Sequence, residues 1–189
     1  MKSISVKSVS MKSISIASIA FAIAISVGCA DRPPKAPDVT GDIRNGLDQA
    51  GLKDVSVKQD RDKGVVTLTG DVTSDSDKAQ AETIAKSVAG SQVVSNEIGV
   101  RPSGDESTAK KVDSDLDSAI DKNLDAKLVQ LKLKREVSYN VQNGVVTLKG
   151  DVHSQAQRES VEKMAQQVPN VKQVVNELDV RKQKATSTK

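Results

Sequence analysis

The chain of 189 residues has no tryptophan, one tyrosine, one phenylalanine, one histidine and one cysteine. Phe21 lies in the apolar N-terminal stretch, so Tyr139 is the one ring left beyond residue 28. A core must therefore be built from Val, Ile, Leu and Ala, and there is no aromatic platform on which bases could stack. The lone cysteine, Cys29, excludes an intramolecular disulfide, so any folded domain holds by packing alone. An excess of charge is also missing. The formal +3 comes from Lys2, Lys7 and Lys12, and from Cys29 onward 25 basic residues face 25 acidic ones. A net charge of zero offers no broad basic face to neutralise phosphates, which argues against nucleic acid as a partner. Only the tail RKQKATSTK, 181–189, is locally basic, and it reads as a solvated end.

The first 28 residues carry those three lysines, no acidic residue, and an apolar run from Ile16 to Val27. Basic-then-apolar order over this length predicts a secretory signal peptide at 1–28 and is short for a membrane span. MKSIS stands at both 1 and 11, so translation from Met1 or Met11 leaves a signal. Ser26-Val27-Gly28-Cys29 resembles a bacterial lipobox, which implies that Cys29 is the lipid-attachment site and the mature N-terminus. Ser26 stands where that pattern prefers leucine, and ordinary cleavage after Ala30 is the alternative. Residues 29–39, rich in proline, then read as a stiff spacer between anchor and first domain.

What is present in abundance is repetition. GVVTLTGDV at 64–72 returns as GVVTLKGDV at 144–152, and the ungapped match of 64–101 with 144–181 holds 17 identities in 38 positions. Upstream, Ile43/Ile120 and Leu47/Leu124 pair at an offset of 77, which implies about three inserted residues in the second copy. Two units of roughly 65 residues are each large enough to hold a core, which speaks for a duplicated domain rather than a solenoid.

Within each copy the hydrophobic period changes in a fixed order. Helical spacing comes first (Ile43, Leu47; Leu116, Ile120, Leu124, Leu128), then alternation (Val55, Val57; Val137, Tyr139, Val141). A polar turn ends at Gly64 or Gly144, and a second strand carries Val66 and Leu68, or Val146 and Leu148. Ser74 and Ser154 sit at N-cap positions, the latter with Gln157 as a capping box. Ala81, Ile84, Ala85 and Val88, like Val161, Met164, Ala165 and Val168, form one helical stripe. A last strand holds Val94, Ile98 and Val100, or Val174, Leu178 and Val180. The predicted fold is α+β: two tandem α-β-β-α-β domains, each a three-stranded mixed sheet with two helices on one face and the other face left to water or a partner.

The pattern G-x-V-x-L-x-G-x-V, a capped helix, then V-x-N-x-[IL]-x-V resembles the BON domain family, with domains expected at 40–102 and 113–181, a linker at 103–112 and a basic tail at 182–189. Gly90 sits where the family has a glycine, and Pro169-Asn170 replaces that step in the second copy. A signal, a lipobox-like cysteine and two such domains resemble the tandem-BON outer-membrane lipoproteins. The resemblance implies a cell-envelope protein facing the periplasm, without catalysis or cofactor, that binds phospholipid or envelope protein surfaces. It also implies a helix surface of the second domain with an aromatic contact, for which this chain has no tryptophan. The competing reading is a soluble periplasmic stress-response protein that shields aggregating clients.

Single residues support no enzyme. His153 follows the strand ending at Val152, and its counterpart is Thr73, which makes it a surface position. Asp71 and Asp151 recur in a strand-end motif and read as turn or capping groups. The aspartate clusters at 60–64 and 113–117 lack the glycine and glutamate of a calcium loop, so no metal is expected. Asn96 and Asn176 fall on the apolar face, where a buried amide must be hydrogen-bonded, and their recurrence suggests a tie between helix and sheet. The best binding candidate is LKLKREVSYNV, 131–141: read as a strand, it puts Leu131, Leu133, Val137 and Tyr139 on one face and Lys132 and Lys134 on the other, with Arg135 beside them. Lys132, Lys134 and Arg135 are the expected contacts to anionic phospholipid; the alternative is lysines guarding a solvated edge.

Overall fold

The computed structural model describes residues 34–181. The expected signal peptide at 1–28, the lipid-attachment residue Cys29 and the tail 182–189 lie outside the described residues. The first repeat runs α1 (Thr40–Gln49), β1 (Ser56–Asp60), β2 (Val65–Thr69), β3 (Asp71–Val72), α2 (Asp75–Ala89), β4 (Val93–Asn96), β5 (Gly99–Val100). The second runs α3 (Glu106–Gln130), β6 (Val137–Gln142), β7 (Val145–Val152), α4 (Gln155–Gln166), β8 (Gln173–Val180). β1 pairs antiparallel with β2, and β2 parallel with β4; β6, β7 and β8 repeat this order. The α-β-β-α-β unit with a mixed three-stranded sheet is the fold that the periodicity predicts. In the first repeat the long strands are broken, so β3 and β5 form a separate two-stranded piece that continues the same parallel pairing.

Each core lies between one sheet face and its two helices. Ile43, Leu47, Val66, Leu68, Ala81, Ala85 and Ile98 fill the first, and Ile120, Leu124, Leu128, Val146, Leu148, Val161, Ala165 and Leu178 the second. Both hairpins bend where a glycine faces the chain ahead of the first strand. A Cβ at Gly70 would stand 2.2 Å from the Asp54 carbonyl oxygen, and one at Gly150 2.1 Å from that of Glu136. No side chain fits there, which accounts for the repeated Gly-Asp.

The helices begin as the sequence indicates. Ser74 Oγ accepts from Asp77 N–H and Ser154 Oγ from Gln157 N–H, each at 3.1 Å. Gln157 reaches back to His153 N–H, one residue ahead of the cap, at 2.8 Å. After α2, Gly90 takes a φ of 63°, and Asn170 takes 68° in its place after α4. Asparagine is among the few side chains that tolerate this region, so the second copy keeps the turn without the glycine.

Three expectations need correction. The upstream offset is 81 rather than 77: Leu47 and Leu128 each accept, through the carbonyl, the N–H of the leucine that follows the helix (Leu52 and Leu133), both at 2.9 Å. The aliphatic periodicity allows either phase, because leucine and isoleucine recur every four residues along α3. Residues 131–136 are a turn, and β6 starts only at Val137. The span 103–112 is largely exposed, yet α3 starts at Glu106 inside it. Glu-Ser-Thr-Ala-Lys-Lys lacks glycine and proline and extends the helix backward from its packed end.

The two repeats belong to one compact unit. Their sheets meet through the faces away from the helices, where Val65, Val145 and Val175 form a buried cluster. The face left open in a single repeat is thus covered by the other around these valines, while Lys58, Ser138 and Asn140 on the outer strands stay exposed.

Candidate functional site

Helix α3 ends with Leu131 in helical conformation and Lys132 at a φ of 59°. Lys132 holds the left-handed position that Gly51 holds after α1, at 79°. The following turn presents Lys132, Lys134 and Arg135 together on an exposed surface. They do not alternate across a strand. Leu133 turns into the second core, whereas Leu131 stays 45% exposed. Lys134 forms an ion pair with Asp125 of α3. Lys132 and Arg135 are the two freely presented cations of the three.

Beside this turn, a groove of about 350 Å³ separates the end of α3 from α4. Leu131 and Met164 floor it, and Lys127 and Lys163 stand on opposite banks. An apolar floor between two ammonium groups, next to a basic turn, suits a group with an anionic head and a hydrocarbon body. The sequence reading missed Lys127 and Lys163 because they lie 36 positions apart on two helices. The packing of the end of α3 against α4 brings them to one groove.

Other singled-out residues have structural work. Asn96 Nδ2 donates to Glu82 Oε2 (3.0 Å) and Lys78 O (3.3 Å), while its Oδ1 accepts from Ile98 N–H at 3.3 Å. Asn176 does the same with Glu162 (2.7 Å), Arg158 O (3.5 Å) and Leu178 N–H (3.2 Å). Each ties helix to sheet. Hydrogen bonds from Lys86 and Asn96 hold the Glu82 carboxyl below its usual range. Asp71 and Asp151 are ion-pair partners rather than caps, facing Arg101 at 3.4 Å and Arg181 at 3.9 Å. Asp60 accepts from Asp62 and Lys63 N–H, both at 3.0 Å, which makes the 60–64 cluster a hairpin turn. His153 is more than half exposed, with Nε2 at 3.1 Å from Glu136 Oε1. Among the described residues no three His, Cys, Asp or Glu side chains gather as metal ligands.

The seam between repeats is polar around its valine cluster. Gln173 lies against the free edge of β4, accepting from Asn96 N–H at 3.3 Å and donating to Val94 O at 2.8 Å, as a strand's peptide group would. Arg101, 11% exposed, donates to Asp113 of α3 at 2.5 Å and to Asn143 Oδ1 at 3.4 Å. Asn143 Nδ2 in turn donates to Glu97 O at 2.8 Å. Glu97 itself is 7% exposed, and burial pushes its carboxyl above the usual glutamate range. The nearby Glu177 acts in the same direction; hydrogen bonds from Ser95 and Thr147 and the charge of Lys149 oppose it. Lys149 stands 3.5 Å from Glu177.

The BON domain family model matches residues 36–102 and 109–182, and the chain belongs to that family. It is 33% identical over 143 residues to osmotically-inducible protein Y of Escherichia coli (strain K12), spanning 74% of this chain and 70% of that protein. A protein of the gshII 5′ region of Anaplasma centrale is 36% identical over 116 residues, 60% of this chain and 74% of its own. Among solved structures, CdsD, a structural protein of the type III secretion system of Chlamydia trachomatis, aligns with a TM-score of 0.32 and 15% identity. That alignment covers 76% of this chain and 62% of CdsD, so the chain spans less than two thirds of its length.

Proposed function

We propose that this chain is a non-enzymatic envelope lipoprotein, anchored through Cys29, whose second BON domain settles on anionic phospholipid. The observation that carries the reading is the groove of Leu131 and Met164 between Lys127 and Lys163, continued by Lys132 and Arg135. Each basic residue near an anionic surface contributes about 1 kcal/mol. The domain alone therefore binds weakly, and an acyl anchor supplies the residence time. Kinship with an osmotically inducible protein supports a role in osmotic stress.

Flotation with vesicles of anionic and of zwitterionic lipid tests this. Protein lacking acyl chains is expected to float with anionic vesicles at low salt and to be released as added salt shortens the screening length toward about 8 Å. Replacing Lys127, Lys132, Arg135 and Lys163 by glutamine abolishes the binding while thermal unfolding stays cooperative. Lysine-independent flotation overturns the site. An intact mass showing an unmodified N-terminus after Ala30 overturns the anchor and favours the soluble stress-protein reading.

A further inference from the structure

Strand β6 is a sheet edge: among the described residues it pairs with β7 alone. Two observations fix which of its main-chain groups are free. Asp151 N–H donates to Glu136 O at 3.2 Å, and the hairpin closes through two residues, Asn143 and Gly144, both at positive φ. Bonded and non-bonded pairs alternate along an antiparallel ladder. Ser138, Asn140 and Gln142 therefore spend their N–H and C=O groups on β7, and Tyr139 and Val141 turn theirs outward.

A groove of about 740 Å³ runs along this edge. Five consecutive residues, Tyr139 to Asn143, line it, whereas a sheet face would show only every second one. The groove thus meets the strand side-on. Its far wall is α3 from Lys110 to Lys122, which presents Asp113, Asp117 and Asp121 four residues apart. With Asp71, four carboxylates line the groove against three cations, and the most buried of these, Arg101, is already bound to Asp71 and Asp113. Asp117 accepts the N–H groups of Asn143 and Gly144, both at 2.8 Å, and so holds the wall at a fixed distance from the strand.

We propose that this groove docks an extended segment of another polypeptide as an additional strand on β6, with Lys or Arg at alternate positions facing α3. The outward groups of Tyr139 and Val141 supply main-chain recognition, the usual source of affinity in strand addition. The spacing supplies the charge pattern. Residues four apart on a helix stand about 6 Å apart along its axis, and alternate side chains of a strand about 6.8 Å apart. A basic residue at every second position therefore meets the exposed Asp121 and, one step along, Asp117, whose carboxylate already accepts from Asn143 and Gly144. The groove shares no lining residue with the Leu131 groove, so lipid and peptide occupy separate surfaces of the second repeat.

The probe is the peptide acetyl-Lys-Val-Lys-Val-Lys-Val-amide, added to the ¹⁵N-labelled chain. The Tyr139 and Val141 amides are expected to shift and to exchange more slowly with solvent. Val141→Pro removes an outward donor without touching the β7 ladder, and weakens binding about tenfold. Val141→Ala, which keeps the donor, binds like the parent. Asp121→Lys weakens binding by changing the exposed wall alone, and decides the matter if the proline variant does not fold. Shifts confined to other surfaces, or binding indifferent to both Val141→Pro and Asp121→Lys, overturn the proposal. So does a chain ending at Arg181 in which the Tyr139 and Val141 amides exchange faster than in the parent, since the chain's own tail would then be the strand.

Discussion

In the first repeat the helix ahead of the hairpin has 10 residues, and the hairpin turns through Arg61 to Gly64, with Ala36 N–H bonded to Arg61 O at 2.8 Å. In the second the helix has 25 residues, the hairpin turns through Asn143 and Gly144 alone, and Asp117 of the helix takes the place of Ala36. What the repeats share is what one unit needs to fold: the glycine facing the strand ahead, the capping serine and the asparagine clamp. What they do not share is what the pair uses. The extended helix lines the β6 groove, the basic turn follows its C-terminus, and Arg101 reaches from the first repeat to the second while its counterpart Arg181 stays at the surface. Duplication gives the same folding unit twice, and the differences fall at the seam, the basic turn and the edge of β6.

The largest effect should come from breaking that asymmetry at the arginines. Arg101→Ala leaves the largely buried Asp113 without its charged partner and frees the exposed Asp71, and is expected to cost about 2 kcal/mol. Arg181→Ala removes an ion pair whose members are both about half exposed, and should cost less than about 0.5 kcal/mol. Urea unfolding of the two variants measures the contrast. Loss of Arg101 should also separate one transition into two as the repeats uncouple. Equal effects would show that the clasp is not what joins them.

The repeat is also why so much of the fold was legible. Each element was read twice from different residues, and Asn96 and Asn176 gave the same answer about helix and sheet. Legibility ended where the copies part. Leu131-Lys132-Leu133-Lys134 has the period of a strand, but a helix ending there needs a left-handed residue, and with no glycine available Lys132 takes that conformation. The seam was hidden because its residues alternate apolar and polar: Val145 with Thr147 and Val175 with Glu177 read equally well as a wet face. The two identical outward valines, Val65 and Val145, were the one signal that the face is covered. The groove between α3 and α4 needs side chains from two helices, and no spacing within one element announces it.

A mid-sized effect is expected from pH at the seam. Glu97 is buried, and its folded carboxyl titrates above the unfolded value, so the fold favours its protonated form. That contribution is fully present below the unfolded glutamate value, about 4.3, and is lost as pH rises through the raised folded value. Glu97→Gln, neutral at every pH, should raise the melting temperature at pH 7 by a few degrees, with the advantage shrinking toward pH 4. Its repeat partner faces different surroundings, since Glu177 is paired with Lys149 while the corresponding residue beside Glu97 is Thr69. Glu177→Gln should lose its ion pair with Lys149 at pH 7 and gain only the relief of the like charge beside Glu97, a smaller net change than that of Glu97→Gln. Thermal unfolding of both variants from pH 4 to 8 tests the sign; parallel curves for the two would contradict it.

The smallest effect sharpens the comparison at the end of α3. Gly51 and Lys132 occupy the same left-handed position, and only glycine does so without a Cβ penalty. The first repeat made the cheaper choice, and the second gives up stability to present an ammonium group on the basic turn. Lys132→Gly should therefore stabilise the chain by about 0.5–1 kcal/mol while reducing its flotation with anionic vesicles. Lys134→Gly is the control, because Lys134 has no positive φ to relieve and its loss removes the pair with Asp125. A gain at 132 but not at 134, read from the urea midpoint and accompanied by weaker vesicle binding, is the pattern of a residue kept for its charge against its conformation. A Lys132→Gly chain no more stable than the parent would mean that the lysine stem recovers in packing what its backbone loses, and the second repeat would then give up nothing for its cation.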